Sequence, residues 1–129
     1  MLQRLRSDRG AAAVEFALVL PVLVLLVFGI IEFGRIFNVQ NSVSAAALEG
    51  ARVVALQKPY SDADMRQAVK NAAPSVAIQN SDITPSAACS SSTPGPEAKV
   101  TVRYQLTLLT GIVGTSITLT GKGVMRCGG

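Results

Sequence analysis

Phe16 to Ile31 reads FALVLPVLVLLVFGII, sixteen positions without one charged or hydrogen-bonding side chain. Counted from Ala11, the apolar run is 21 residues long and is interrupted only by Glu15. At 1.5 Å per residue this is about 30 Å of helix, enough to cross the hydrocarbon core of a bilayer. A secretory signal would have a shorter apolar core of roughly 7–15 residues with a small-residue cleavage site close behind. Here IEFGRIFNVQNS follows, and Ala45-Ala46-Ala47 comes too late to serve as that site. The run therefore reads as one retained transmembrane helix. With 129 residues in all, one small domain remains beyond it.

The residues ahead of the run, MLQRLRSDRG, carry Arg4, Arg6 and Arg9 against Asp8, a local charge of +2. Such a basic leader stays on the cytoplasmic side, so the orientation expected is N-terminus in, single-pass, with the rest of the chain extracytoplasmic. Pro21 removes one helix hydrogen bond, which predicts either a kink or short unwound turn near 17–21 or a proline simply tolerated in the membrane. Glu15 is the unusual residue. A carboxylate costs about 2.5–3.5 kcal/mol at the bilayer centre and less near the interface. It must either reach back to headgroups and Arg9 or meet a partner.

Composition removes whole classes of chemistry. There is no histidine, hence no Ser-His-Asp or Cys-His nucleophile and no imidazole metal ligand. Two cysteines, Cys89 and Cys127, cannot build a four-thiolate zinc site. No glycine-rich phosphate loop follows a strand. Asp62, Asp64, Asp82 and Glu97 are scattered over predicted caps and loops. No catalytic residue, metal or cofactor is expected.

Beyond Ile31 the helical pattern continues. Phe33, Ile36, Phe37, Val43, Ala47, Ala51 and Val54 form one stripe, opposite Arg35, Asn38, Asn41, Ser42, Glu49 and Arg52. Lys58-Pro59 ends it. A continuous rod from Ala11 to Gln57 would be about 70 Å long, with Gly29, Gly34 and Gly50 as points where it could bend. Ser61 with Asp62 and Asp64 predicts the start of a second helix, striped by Met65, Val69 and Ala72 and stopped by Pro74. Val76–Asn80 and Ile83 alternate weakly, and Ser86–Pro96 reads as a loop. Lys99–Leu109 alternates with Val100, Val102, Tyr104 and Leu106 on one face. Thr110–Gly114 is a turn, and Ser116–Met125 alternates with Ile117, Leu119, Gly121, Gly123 and Met125 on one face.

The fold class expected is α+β: a long N-terminal helix, transmembrane below and amphipathic above, packed against a small C-terminal antiparallel sheet. The segments are a basic leader (1–10), a transmembrane helix (11–31), its amphipathic continuation (32–57) and a small extracytoplasmic domain (58–129). In an oxidising compartment Cys89 and Cys127 are a candidate disulfide; the alternative is two unpaired thiols.

Gly10-Ala11-Ala12-Ala13-Val14-Glu15-Phe16 has the form G-x-x-x-x-E-F between basic residues and an apolar helix. It resembles the cleavage site of Flp-type prepilins and prepilin-like proteins, which a membrane prepilin peptidase cuts after the glycine. The continuation to Leu56 resembles the TadE-like family of minor pseudopilins, and TLTGKGVMRC is similar to that family's C-terminal strand. The resemblance implies a pilin-like fold, a new N-terminus at Ala11, and an assembly contact at Glu15 and Phe16. In such assemblies the glutamate neutralises a neighbouring subunit's N-terminus. Removing the leader would lower the net charge from +4 to +2, so overall basicity does not point to nucleic acid. The major Flp pilins are much shorter, which favours a minor subunit, TadE-like or TadF-like.

The resemblance thus implies a non-catalytic assembly subunit of a tight-adherence pilus or related secretion system in the cytoplasmic membrane, open to incorporation into a surface pilus. Its partners would be the prepilin peptidase, other pilins and pseudopilins, the inner-membrane assembly platform and the lipid bilayer. The alternative is an unprocessed, single-pass anchored binding domain that keeps residues 1–10 and does not need Glu15.

Overall fold

The computed structural model describes residues 2–57, 59–89, 97–112 and 114–128, with side chains from residue 8 onward. Helix α1 (Leu2–Leu56) is followed by α2 (Asp62–Ala72), a 3-10 turn at Asn80–Asp82, and strands β1 (Ile83–Ala87), β2 (Glu97–Thr107) and β3 (Ser116–Arg126). The fold is α+β. The chain divides into two compact units, Met1–Gly34 and Arg35–Gly129.

The first unit is helix throughout its described length. Helix begins at Leu2, upstream of the Ala11 start expected from the apolar pattern, because Leu, Gln and Arg are good helix formers and no breaker precedes the run. It continues through Pro21. The expected unwound turn is not formed, since one missing N–H leaves the flanking hydrogen bonds to hold the helix. Every side chain from Asp8 to Ile31 is exposed. Lys58, where the sequence places the helix end, lies outside the described residues, and α1 stops at Leu56.

In the second unit the antiparallel sheet has the order β1-β2-β3. β2 and β3 pair without interruption from Glu97–Arg126 to Thr107–Ser116. The strand alternation turns Ala98, Val100 and Val102 inward into one core with Val43, Ala46, Ala47, Ala51, Val54 and Ala55 of α1, while Leu106 and Leu119 are buried outside that cluster. The helix face is small and the sheet face matches it. Gly121 and Gly123 sit directly on the α1 backbone, where a Cβ would lie 2.4 Å from the Val43 carbonyl oxygen and 2.0 Å from that of Ala47. Gly50 is likewise a packing site and not a bend: a Cβ there would meet Val69 Cγ2 at 2.6 Å.

Several boundaries differ from those read in the sequence. Phe33 and Phe37 are 77% and 68% exposed, so the buried stripe begins at Val43, with Val39 half-buried ahead of it. β2 occupies 97–107 and not 99–109; Leu108 and Leu109 belong to the turn, where the Leu108 N–H donates to the Thr115 carbonyl at 3.0 Å. β3 gains Arg126, which pairs with Glu97. Residues 86–87, read as loop, belong to β1, and 90–96 lie outside the described residues.

Helix α2 starts as its sequence predicts, with Ser61 Oγ accepting from the Asp64 N–H at 3.4 Å. Met65 and Val69 are buried in the core. Arg66 ties the helix to β1: it donates to Asp62 at 2.6 Å and to the carbonyls of Asn80 and Ile83. Cys89 and Cys127 are joined by a disulfide, Cα–Cα 5.6 Å, linking the segment after β1 to the end of β3.

Candidate functional site

Gly10, Ala11, Glu15 and Phe16 all lie on α1. The Gly10–Ala11 peptide bond is therefore helical, and a Cβ at Gly10 would meet nothing within 4 Å. A protease that takes its substrate as an extended strand would have to unwind a turn here, and glycine lowers that cost by about 1 kcal/mol relative to alanine. Ala11 and Glu15, four residues apart, share one face of the helix. Phe16, beside them, is 64% exposed.

Arg9 is six residues from Glu15, about 240° around the helix, and so projects from a different face. Among the described residues Glu15 has no ion-pair partner. Described ion pairs join Glu49 to Arg52 at 3.7 Å, Asp62 to Arg66 at 2.6 Å and Glu97 to Lys99 at 3.2 Å. Of the three leader arginines, Arg9 is exposed, while the side chains of Arg4 and Arg6 lie outside the described residues. The structure thus brings Gly10, Ala11, Glu15 and Phe16 onto two adjacent turns. It leaves the carboxylate at the head of an apolar helix surface that the chain itself does not cover. An all-round apolar helix of this kind belongs in lipid or against other helices. α1 is long and apolar enough to cross a membrane.

Residues 10–52 match the family model of TadE-like protein. The TadE-like segment opens at Gly10, contains the whole apolar run and ends at Arg52, on the part of α1 that carries the sheet. The match agrees with the resemblance read from the sequence and suggests a protein related to the Tad pilus. It implies association with other pilus components and with the membrane. The chain matches no curated protein and no solved structure.

Two features of the TadE-like segment and its sheet went unread in the sequence. Glu32 is buried, 8% exposed, although it stands one residue beyond the apolar run. The helix-facing role of Gly121 and Gly123 also escaped notice. Two glycines on the inward face of one strand are the sequence mark of a close backbone approach. Among the described residues, no group of three or more Cys, Asp or Glu converges to hold a metal.

Proposed function

We propose that this protein is a minor pseudopilin, a non-catalytic assembly subunit of a tight-adherence pilus or related secretion system, cut by a prepilin peptidase between Gly10 and Ala11. One observation carries the reading. The G-x-x-x-x-E-F motif stands at the head of the TadE-like segment, on an apolar helix whose Glu15 has no ion-pair partner among the described residues. Removal of the leader takes away Arg4, Arg6 and Arg9 and creates an α-ammonium on Ala11. Glu15 then lies near a helix N-terminus, where the helix dipole favours negative charge, and it is placed to pair with the N-terminus of a neighbouring subunit. The arginines first hold the leader on the cytoplasmic side, which leaves the domain extracytoplasmic.

The test is site-specific photocrosslinking from position 16 in cells that express the whole pilus system. A pseudopilin gives adducts with pilin-like subunits, and these vanish in the Glu15→Ala background. An anchored binding domain gives none, or adducts indifferent to Glu15.

A further inference from the structure

We propose that the outer face of the β2–β3 pair is a binding surface for a linear acidic polysaccharide. The face lies wholly within the Arg35–Gly129 unit, so the proposal goes beyond the assembly role and does not depend on the leader or its removal. Strand alternation sends Ala98, Val100 and Val102 of β2, with Gly121 and Gly123 of β3, to the helix side. The residues between them take the other side, where Lys99, Arg103, Lys122 and Arg126 are all exposed. The register sets these four in order, because Lys122 stands opposite Thr101 and Arg126 opposite Glu97. At the levels of positions 103, 101, 99 and 97, a cation comes from β2, β3, β2 and β3 in turn. Each step is two residues, about 6.8 Å of strand rise, and the row runs about 20 Å. Like charges at neighbouring positions on a sheet repel, and acids do little to offset them here. The three strands contain one acid, Glu97, which pairs with Lys99 at 3.2 Å. Arg103 and Lys122 have no ion-pair partner among the described residues.

Charge complementarity calls for an anion, and the rest of the face selects its kind. Thr101, Gln105, Thr118 and Thr120 share the face with the cations and supply donors and acceptors suited to sugar hydroxyls. Val124 is the one apolar side chain on this face among the described residues of the two strands. A protein interface would have an apolar, aromatic centre poor in lysine, and a lipid surface would need an apolar face to bury. Single-stranded nucleic acid stacks its bases on aromatic rings. Tyr60 and Tyr104 instead pack against the core, and the phenylalanines all lie on α1. A row of single cations set among hydroxyls and an amide fits a polymer whose carboxylates recur along a hydroxyl-rich backbone.

The test is fluorescence anisotropy of the full chain in a neutral detergent, with end-labelled oligogalacturonate as the probe. Labelled dextran oligomer, oligo-thymidylate and polyglutamate are measured beside it. Oligogalacturonate should bind saturably and be released as salt rises, and dextran should not bind. Arg103→Gln and Lys122→Gln should each weaken binding roughly threefold, and together roughly tenfold, as for exposed ion pairs. Arg103→Lys, which keeps the charge, should bind as wild type does. Arg52→Gln, on α1 and outside the row, should leave the affinity unchanged. Oligogalacturonate binding no better than dextran overturns the proposal. So does an Arg52→Gln loss equal to that of Lys122→Gln, which would mark a response to net charge alone. Equal or tighter binding of oligo-thymidylate or polyglutamate overturns it in favour of a nucleic acid or an acidic protein.

Discussion

Gly123 lies on the backbone of α1 at Ala47, so close that a Cβ at this position would stand 2.0 Å from the Ala47 carbonyl oxygen. No rotamer relieves that overlap, because both partners are backbone. Gly123→Ala must push β3 off the helix, and overpacking of this kind costs about 1–3 kcal/mol or more. The expected outcome is a fall of several degrees in the thermal midpoint of the Arg35–Gly129 unit, read by circular dichroism of the full chain in detergent. Gly111→Ala, in the turn and clear of other atoms, serves as the comparison for a glycine replaced under backbone strain alone.

The disulfide should matter as much as any core residue. The sheet and the upper helix enclose a small core, and small domains often need a covalent staple. Closing a loop across the 38-residue separation of Cys89 and Cys127 contributes about 4 kcal/mol on the chain-entropy model. Reduction, or the paired change Cys89→Ser and Cys127→Ser, should lower the unfolding midpoint markedly. Unchanged midpoints with and without reductant would contradict a staple role.

Much of this architecture was legible because it follows from periodicities. The apolar run, the Ser61 cap and the two long alternating strands are local signals, and each forms an element close to where it was read. β1 was not legible. Its sequence, ITPSA, buries only Ile83 and contains Pro85, and its order comes from pairing with β2 at Ile83–Val102 and Pro85–Val100. An edge strand tolerates a proline because only one side of it is hydrogen-bonded. The exposure of Phe33 and Phe37 was equally hidden, since a helical stripe shows which face is apolar but not how far along it the sheet reaches. At the candidate site, the spacing of Gly10, Ala11, Glu15 and Phe16 could be read from the sequence, whereas the absence of an Arg9 partner for Glu15 could not; it depends on the helix continuing unbroken through residues 9–15.

That helical continuity has a kinetic consequence for processing. If the peptidase takes an extended substrate, α1 must open at Gly10 before the cut. Gly10→Ala stabilises the helix there by about 1 kcal/mol, which lowers the open population about fivefold. Cleavage by purified prepilin peptidase in detergent should slow by at least that factor. A rate equal to wild type would mean that helix opening does not limit the reaction.

Glu15→Gln keeps the shape of the side chain and removes its charge. Insertion and cleavage should proceed as in wild type, because neither needs the carboxylate. Association with neighbouring subunits should weaken by about 3 kcal/mol, roughly a hundredfold, as when one member of a buried ion pair is removed. Co-purification of the full chain with pilin-like subunits from detergent extracts measures it.

The most direct measurement is the intact mass of the protein extracted from membranes of cells with an active prepilin peptidase. Processing after Gly10 predicts a chain that begins at Ala11 and lacks MLQRLRSDRG. A chain that still carries Arg4, Arg6 and Arg9 in those cells would contradict the pseudopilin reading and leave an anchored binding domain in its place.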